Sequence, residues 1–238
     1  MRCPRVRTSL PLESAAISVQ VANTSAGVPK SLEAVKLSCV RGDRLVFEAL
    51  EFTLVPGEVL QLVGANGSGK TSLLRLLSGL ALPYAGTVRW DGRDVHQQRL
   101  FWHRNLCVIG HLSGVSASLT ARENLAVAVA LGAGGLHANV VEALGVVGLS
   151  TCIDTLAARL SAGQRQRIAL ARLVMSKAPV WLLDEPLTAL DLDGKRLVES
   201  LLRTHTSRGG LAVLATHQPV DSSNLNVRNF QLRGVGSE

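Results

Sequence analysis

The sequence predicts an α/β fold: a mostly parallel sheet covered on both faces by helices, with an antiparallel β hairpin region and an α-helical insertion. Three observations carry this. Short apolar runs of strand length, "EVLQLV" (Glu58–Val63), "PVWLLDEP" (Pro179–Pro186) and "LAVLATH" (Leu211–His217), are separated by longer stretches of helical periodicity. The last two end in polar residues, as strands do when their carboxyl ends carry a ligand site. A glycine-rich loop, Gly64–Thr71, joins the first run to a helical pattern.

Residues 1–30 are acid-poor and hold Arg2, Arg5, Arg7 and Lys30 against Glu13, a net +3. They lack the continuous apolar core of a secretory leader, so they read as an unstructured extension or an overlong start, with a transit peptide as the alternative. From Leu32 to Leu54, "LEAVKLSCV" and "RLVFEALEFTLV" flank Arg41-Gly42-Asp43 and predict a hairpin. After the glycine loop, Leu73, Leu74, Leu76, Leu77 and Leu80 recur at helical spacing, and "GTVRWDG" reads as a strand and turn. Between about residue 100 and Leu160, helical runs and small loops alternate after the strand-like "NLCVIG" (Asn105–Gly110), which is the expected insertion. Within it "LAVAVALGAGGL" (Leu125–Leu136) is glycine-broken and too short to cross a bilayer, so a buried helix and its end are expected. Residues 31–234 thus form one domain.

Composition narrows the classes. Of 238 residues 47% are hydrophobic and 18% charged, which suits a packed globule. Only 3% are aromatic, leaving few platforms on which single-stranded nucleic acid could stack. The net charge of +7 loses the +3 of residues 1–30 and becomes thin, a weak case for nucleic acid and an equal one for an anionic lipid surface. Cys3, Cys39, Cys107 and Cys152 form no metal-ligand or C-x-x-C spacing and read as reduced thiols.

The loop "GANGSGKT" fits G-x-x-x-x-G-K-[ST] between a strand and a helix. Gly64, Gly67 and Gly69 let backbone N–H groups turn inward around phosphate oxygens, with Ala65, Asn66 and Ser68 completing the cradle. The helix N-terminus adds unpaired N–H groups and its positive dipole end. Lys70 is expected between the β- and γ-phosphates, and Thr71 on Mg²⁺. In "WLLDEP", Asp184 stands at a strand end where it can hold the same Mg²⁺, and Glu185 beside it can polarise an attacking water. The next apolar strand ends in His217, placed to meet the γ-phosphate. A second anion-binding turn, "LSAGQ", offers the Ser161 hydroxyl and the Gly163 backbone at the start of a helix but has no lysine.

In this order, "GANGSGKT", "LSAGQ", "WLLDEP", "LTALD" (Leu187–Asp191) and "ATH", the chain resembles the ATP-binding subunits of ATP-binding-cassette (ABC) transporters over residues 31 to 220. The resemblance implies a P-loop NTPase fold of the ABC nucleotide-binding type, ATP and Mg²⁺ as ligands, and ATP hydrolysis coupled to transport. It also implies a homodimer with head-to-tail ATP sites, in which Ser161 and Gly163 close the phosphate site of the neighbouring copy. More narrowly, "LSAGQRQRIALARL", "IGHLSGVSASLTARENL", "GGLAVLATHQ" and the short hairpin "LSCVRGDRLVF" are similar to the ATPase subunit of the bacterial haem exporter of cytochrome c maturation. That likeness implies integral membrane permease partners (CcmB-like and CcmC-like), a peripheral place on the cytoplasmic face of the inner membrane, and no direct contact with haem or nucleic acid. An ATPase for another exported substrate is the alternative.

Two departures stand out. The family's adenine-stacking aromatic is replaced near Arg41, whose guanidinium can also stack on a base. The family's glutamine at the start of the insertion falls at Leu112, with His111 beside it: either His111 takes over that contact or it caps and packs the strand end. Rival classes fit less well. A GTP-binding switch lacks its base-reading Asn-Lys-x-Asp motif, a small-molecule kinase has no use for "LSAGQ", and a soluble relative acting on DNA or ribosomes fuses two cassettes.

Overall fold

The computed structural model describes residues 30–132, 139–218, 220 and 223–232. The extension expected over residues 1–30 lies outside them except for Lys30, and so does Cys3. Strands β1 (Leu32–Arg41) and β2 (Arg44–Leu54) form the expected hairpin, with Arg41 opposite Arg44 across the Gly42-Asp43 turn. With β4 (Ala85–Trp90) and β5 (Arg93–Asp94) they make an antiparallel sheet in the order β2-β1-β4-β5. Gly86 is obligatory there: at φ +81 its missing Cβ would lie 2.2 Å from the Lys36 carbonyl oxygen of the bulged β1.

The second sheet joins β3 (Glu58–Val63), β6 (Leu106–Ile109), β7 (Val180–Asp184), β8 (Leu211–Ala215) and β9 (Asn226–Gln231) in the order β6-β7-β8-β3-β9. Every pairing in it is parallel. All five residues of β7 are buried, which is why Val180–Leu183 is continuously apolar rather than alternating before the strand ends in Asp184. Side chains still alternate in direction, and this divides the interior into two cores. Val180 and Leu182 face one with Phe47, Trp90 and Trp102, beneath the antiparallel sheet and helix α1 (Lys70–Leu77). Trp181 and Leu183 face the other, with α5 (Ala162–Met175) and α6 (Leu192–Ser207).

The region from about 100 to 160 is not helical throughout. Short α2 (Arg99–Arg104) is followed by β6, an edge strand of the parallel sheet, and the insertion proper begins with α3 (Ala121–Ala130) and α4 (Val140–Val146). Helix α3, started by a Thr120/Glu123 capping box, buries only Ala121 and Leu125, so it lies on the surface rather than inside. Its expected glycine-rich end falls partly at residues 133–138, outside the described residues. Leu80 does not continue α1 either. The helix stops at Leu77 because Gly79 (φ +76) donates to the Leu76 carbonyl and Leu80 to the Arg75 carbonyl, a left-handed glycine cap that leaves Leu80 exposed. Among the described residues no helix is long and apolar enough to cross a membrane, and Cys39, Cys107 and Cys152 are free thiols.

Candidate active site

Strand β3 runs into the glycine loop, and the loop into α1. Gly69 caps the helix at φ +101, with its absent Cβ 2.5 Å from Val46, so a side chain there would be both strained and clashing. Gly64 is equally confined: a Cβ would meet the Leu232 carbonyl and the Ser68 hydroxyl at 2.6 Å. The Ser68 hydroxyl is itself buried without a hydrogen-bond partner among the described residues. Lys70, 7% exposed, curls back and donates from Nζ to the carbonyls of Gly64 (2.7 Å) and Ala65 (3.0 Å). An ammonium has three donors, so one remains for the space above the loop.

That space is a cavity of about 620 Å³ at the carboxyl ends of the parallel strands. Asn66, Gly67, Gly69, Lys70 and Thr71 form one wall, and Asp184, Glu185 and His217 form another. Asp184 is the last residue of β7 and is buried. Glu185 follows in the left-handed region (φ +52), a costly conformation for a side-chain-bearing residue. Its N–H is held by the Ala215 carbonyl at 2.7 Å, and its Oε1 lies 3.3 Å from His217 Nε2. The pair is a carboxylate with a ring nitrogen at its side, on adjacent strand ends.

Arg41 also lines the cavity, and four residues that the sequence reading did not single out join it: Arg44, Val46, Ser72 and Thr188. Arg44 could have been found, since a two-residue turn makes it the register partner of Arg41. His111 also lines the cavity, whereas Leu112 is 85% exposed and is not part of it.

Ser161 and Gly163 are not brought to this cavity. Ser161 caps α5: its Oγ accepts from the Gln164 N–H (3.1 Å), and the Gln164 Oε1 accepts from the Ser161 N–H (2.9 Å). The expected hydroxyl therefore has one lone pair committed to the helix, although its proton stays free to donate. The Ala162 and Gly163 N–H groups take no partner among the described residues. Gly163 permits a close passage of chain, since a Cβ would lie 2.7 Å from the Ala189 carbonyl of the "LTALD" loop. Gln166 and Arg167 of the same helix donate to the Pro186 carbonyl (3.1 Å) and Asp191 (2.8 Å). The Gly194 N–H, and then Arg167, hold the Asp191 carboxyl below the usual carboxylate range. One side of α5 is thus tied to the loop that follows Glu185.

The two residues expected on Mg²⁺, the Asp184 carboxylate and the Thr71 hydroxyl, both line the cavity and could hold such an ion. Hard oxygen donors in that number suit an ion held mainly by substrate phosphates. A cluster of three or more His, Cys, Asp or Glu that could hold a metal alone is absent among the described residues.

The profile of the ABC transporter family matches residues 47–188. The cytochrome c biogenesis ATP-binding export protein CcmA of Methylococcus capsulatus is 48% identical over 186 residues, 78% of this chain and 90% of that protein. CcmA of Escherichia coli K12 is 45% identical over 201 residues, 84% and 96% of the two chains. An ABC transporter ATP-binding protein from Pyrococcus furiosus superposes with a TM-score of 0.71 at 25% identity, covering 85% of this chain and 97% of its own. The ATP-binding cassette MJ0796, solved as a dimer in a post-hydrolysis state with ADP and Pi, has the same fold (TM-score 0.72, 21% identity, 85% and 94% covered).

Proposed function

The chain belongs to the ABC transporter family, and from that membership we propose that it is the ATP-hydrolysing subunit of the export system of c-type cytochrome biogenesis. The cargo process is haem export, with hydrolysis releasing a haem-carrying chaperone on the far side of the membrane. Identity of 48% and 45% to two CcmA proteins over most of their length supports the narrow reading. The observation that carries the chemistry is the Glu185–His217 pair, 3.3 Å apart in the cavity that also holds Lys70, Thr71 and Asp184.

In this reading the polyphosphate lies along the glycine loop, where N–H groups, the α1 N-terminus and Lys70 oppose its charge. Thr71 and Asp184 hold Mg²⁺, which when bound neutralises charge on the terminal phosphates. Glu185 orients and deprotonates the attacking water, its carboxylate steered by the left-handed backbone and by His217. Arg41 and Arg44 bracket the base end by guanidinium stacking.

The Ala162 and Gly163 N–H groups and the Ser161 hydroxyl lie outside the lining of the chain's own cavity, which supports giving them to a site whose lysine lies on another copy. Two chains head to tail, each closing the other's ATP, use both loops. The membrane partners are CcmB-like and CcmC-like permease subunits, and the chain sits peripherally on the cytoplasmic side. Residues 31–234 act as one ATP-binding domain.

The test is cellular. Bacteria carrying Lys70→Ala in place of the wild-type chain should make c-type cytochrome polypeptides without attached haem, seen on haem-stained gels. Normal haem attachment would favour an ABC ATPase for another exported substrate.

A further inference from the structure

We infer that His111 is a second imidazole at the phosphate end of the cavity, one that contacts the terminal phosphate or the water beside it. The inference rests on the ATPase reading above and adds a residue to that reaction. Register places it. Strand β6 pairs with β7 in parallel, with Ile109 opposite Leu183, so Gly110 and His111 continue alongside Asp184 and Glu185. On the other side β8 has Ala215 opposite Asp184, which leads on to His217. Three neighbouring strand ends therefore deliver imidazole, carboxylate and imidazole into one cavity, with Glu185 in the middle and Lys70 and Thr71 across from it.

The molecule contains a useful contrast. His205 is a histidine that packs: 9% exposed, it stacks on Trp181 at 3.8 Å and its Nε2 lies 3.1 Å from the Leu211 carbonyl. His111 does the opposite. It is exposed, it faces the cavity, and its ring nitrogens take no hydrogen bond among the described residues. Capping or packing the end of β6 would have spent one of them. Leu112 turns outward, so the chain gives the cavity the polar residue of this pair and solvent the apolar one. A neutral imidazole offers one donor and one acceptor, enough to hold a phosphate oxygen or a water.

The experiment separates contact with the terminal phosphate from support of the fold. In a Glu185→Gln background, which preserves ATP during titration, dissociation constants for Mg-ATP and Mg-ADP are measured with and without His111→Ala. Turnover is measured with Glu185 intact. His111→Ala should lower the preference for ATP over ADP and the turnover number by about tenfold each, the size of one hydrogen bond to a charged group. ADP affinity should stay unchanged. His111→Gln should recover much of both losses, His111→Phe neither, and Leu112→Ala should match the wild type. A His111→Ala protein with normal turnover and normal ATP preference overturns the inference, as does an equal loss of ATP and ADP affinity or full activity in His111→Phe. A wild-type chain that binds no Mg-ATP overturns the ATPase reading itself, and the inference with it.

Discussion

The loop Gly64–Thr71 and the loop Leu160–Gln164 are both glycine-containing turns that open a helix, yet one is closed around its own lysine and the other is not. In the first, Lys70 is buried against the Gly64 and Ala65 carbonyls, and three glycines are fixed by neighbours or by left-handed dihedrals. In the second, Ser161 and Gln164 satisfy each other through a reciprocal cap, Gln164 Nε2 reaches Cys152 Sγ at 3.7 Å, and the turn holds no lysine, its Leu160 carbonyl accepting instead from the Arg165 guanidinium at 2.7 Å. The difference teaches that a helix N-terminus supplies only half of a phosphate site. The cation has to come from somewhere, and in the proposed head-to-tail dimer the second loop takes it from another copy.

The largest expected effect falls on the first loop. Lys70→Ala removes the only lysine of the cradle and should abolish measurable ATP binding in a Mg²⁺ titration, with near-normal affinity disproving the assignment. Glu185→Gln keeps the shape but not the base, so turnover should drop by about 10²–10⁴-fold with ATP still bound. A drop of less than threefold would remove Glu185 from the chemistry. The second loop should respond differently. Gly163→Ala drives a Cβ against the Ala189 carbonyl, and turnover should fall by roughly tenfold while the single chain binds ATP as before. If binding to the single chain falls as much as turnover does, the two loops are not separate halves.

Far from either loop the effect concerns stability alone. Burial pushes the His205 imidazole from 6.5 down to about 4. The folded chain keeps this ring neutral whereas the unfolded chain protonates it below about pH 6.5. The stabilisation is therefore complete above that pH and is lost as pH falls towards 4, on the order of 3 kcal/mol in all. Chemical denaturation between pH 7 and 4 should show that slope in the wild type and a flatter one in His205→Phe. Equal slopes would mean that other groups govern acid unfolding.

Much of this was legible in the residues because local chemistry and tertiary role coincide. The loop "GANGSGKT" needs its glycines for backbone reasons that any strand–helix junction would impose, and "VWLL" is apolar throughout because both faces are covered. Where they diverge, the sequence was silent or misleading. Strand β9, "NVRNFQ", is an edge strand with mostly polar or charged side chains, and only its pairing with β3 makes it a strand. Leu80 keeps the helical period but follows Gly79, whose left-handed turn ends the helix. Leu125–Ala130 is apolar and reads as buried, yet only Leu125 of that stretch is fully buried, with Ala128 and Val129 half-buried against the core. Likewise Arg44 lies in no motif and reaches the cavity only through the hairpin turn, while Thr188 lies inside "LTALD" but is given no role by that motif.

The two-loop account is tested most directly by sedimentation of Glu185→Gln with and without Mg-ATP. Unhydrolysed ATP should join two chains, giving a dimer with nucleotide and a monomer without it, and Gly163→Ala placed in the same background should shift the equilibrium back towards monomer. A protein that stays monomeric at every concentration of chain and Mg-ATP, alone and with its membrane partner, would contradict a site built from one loop of each copy.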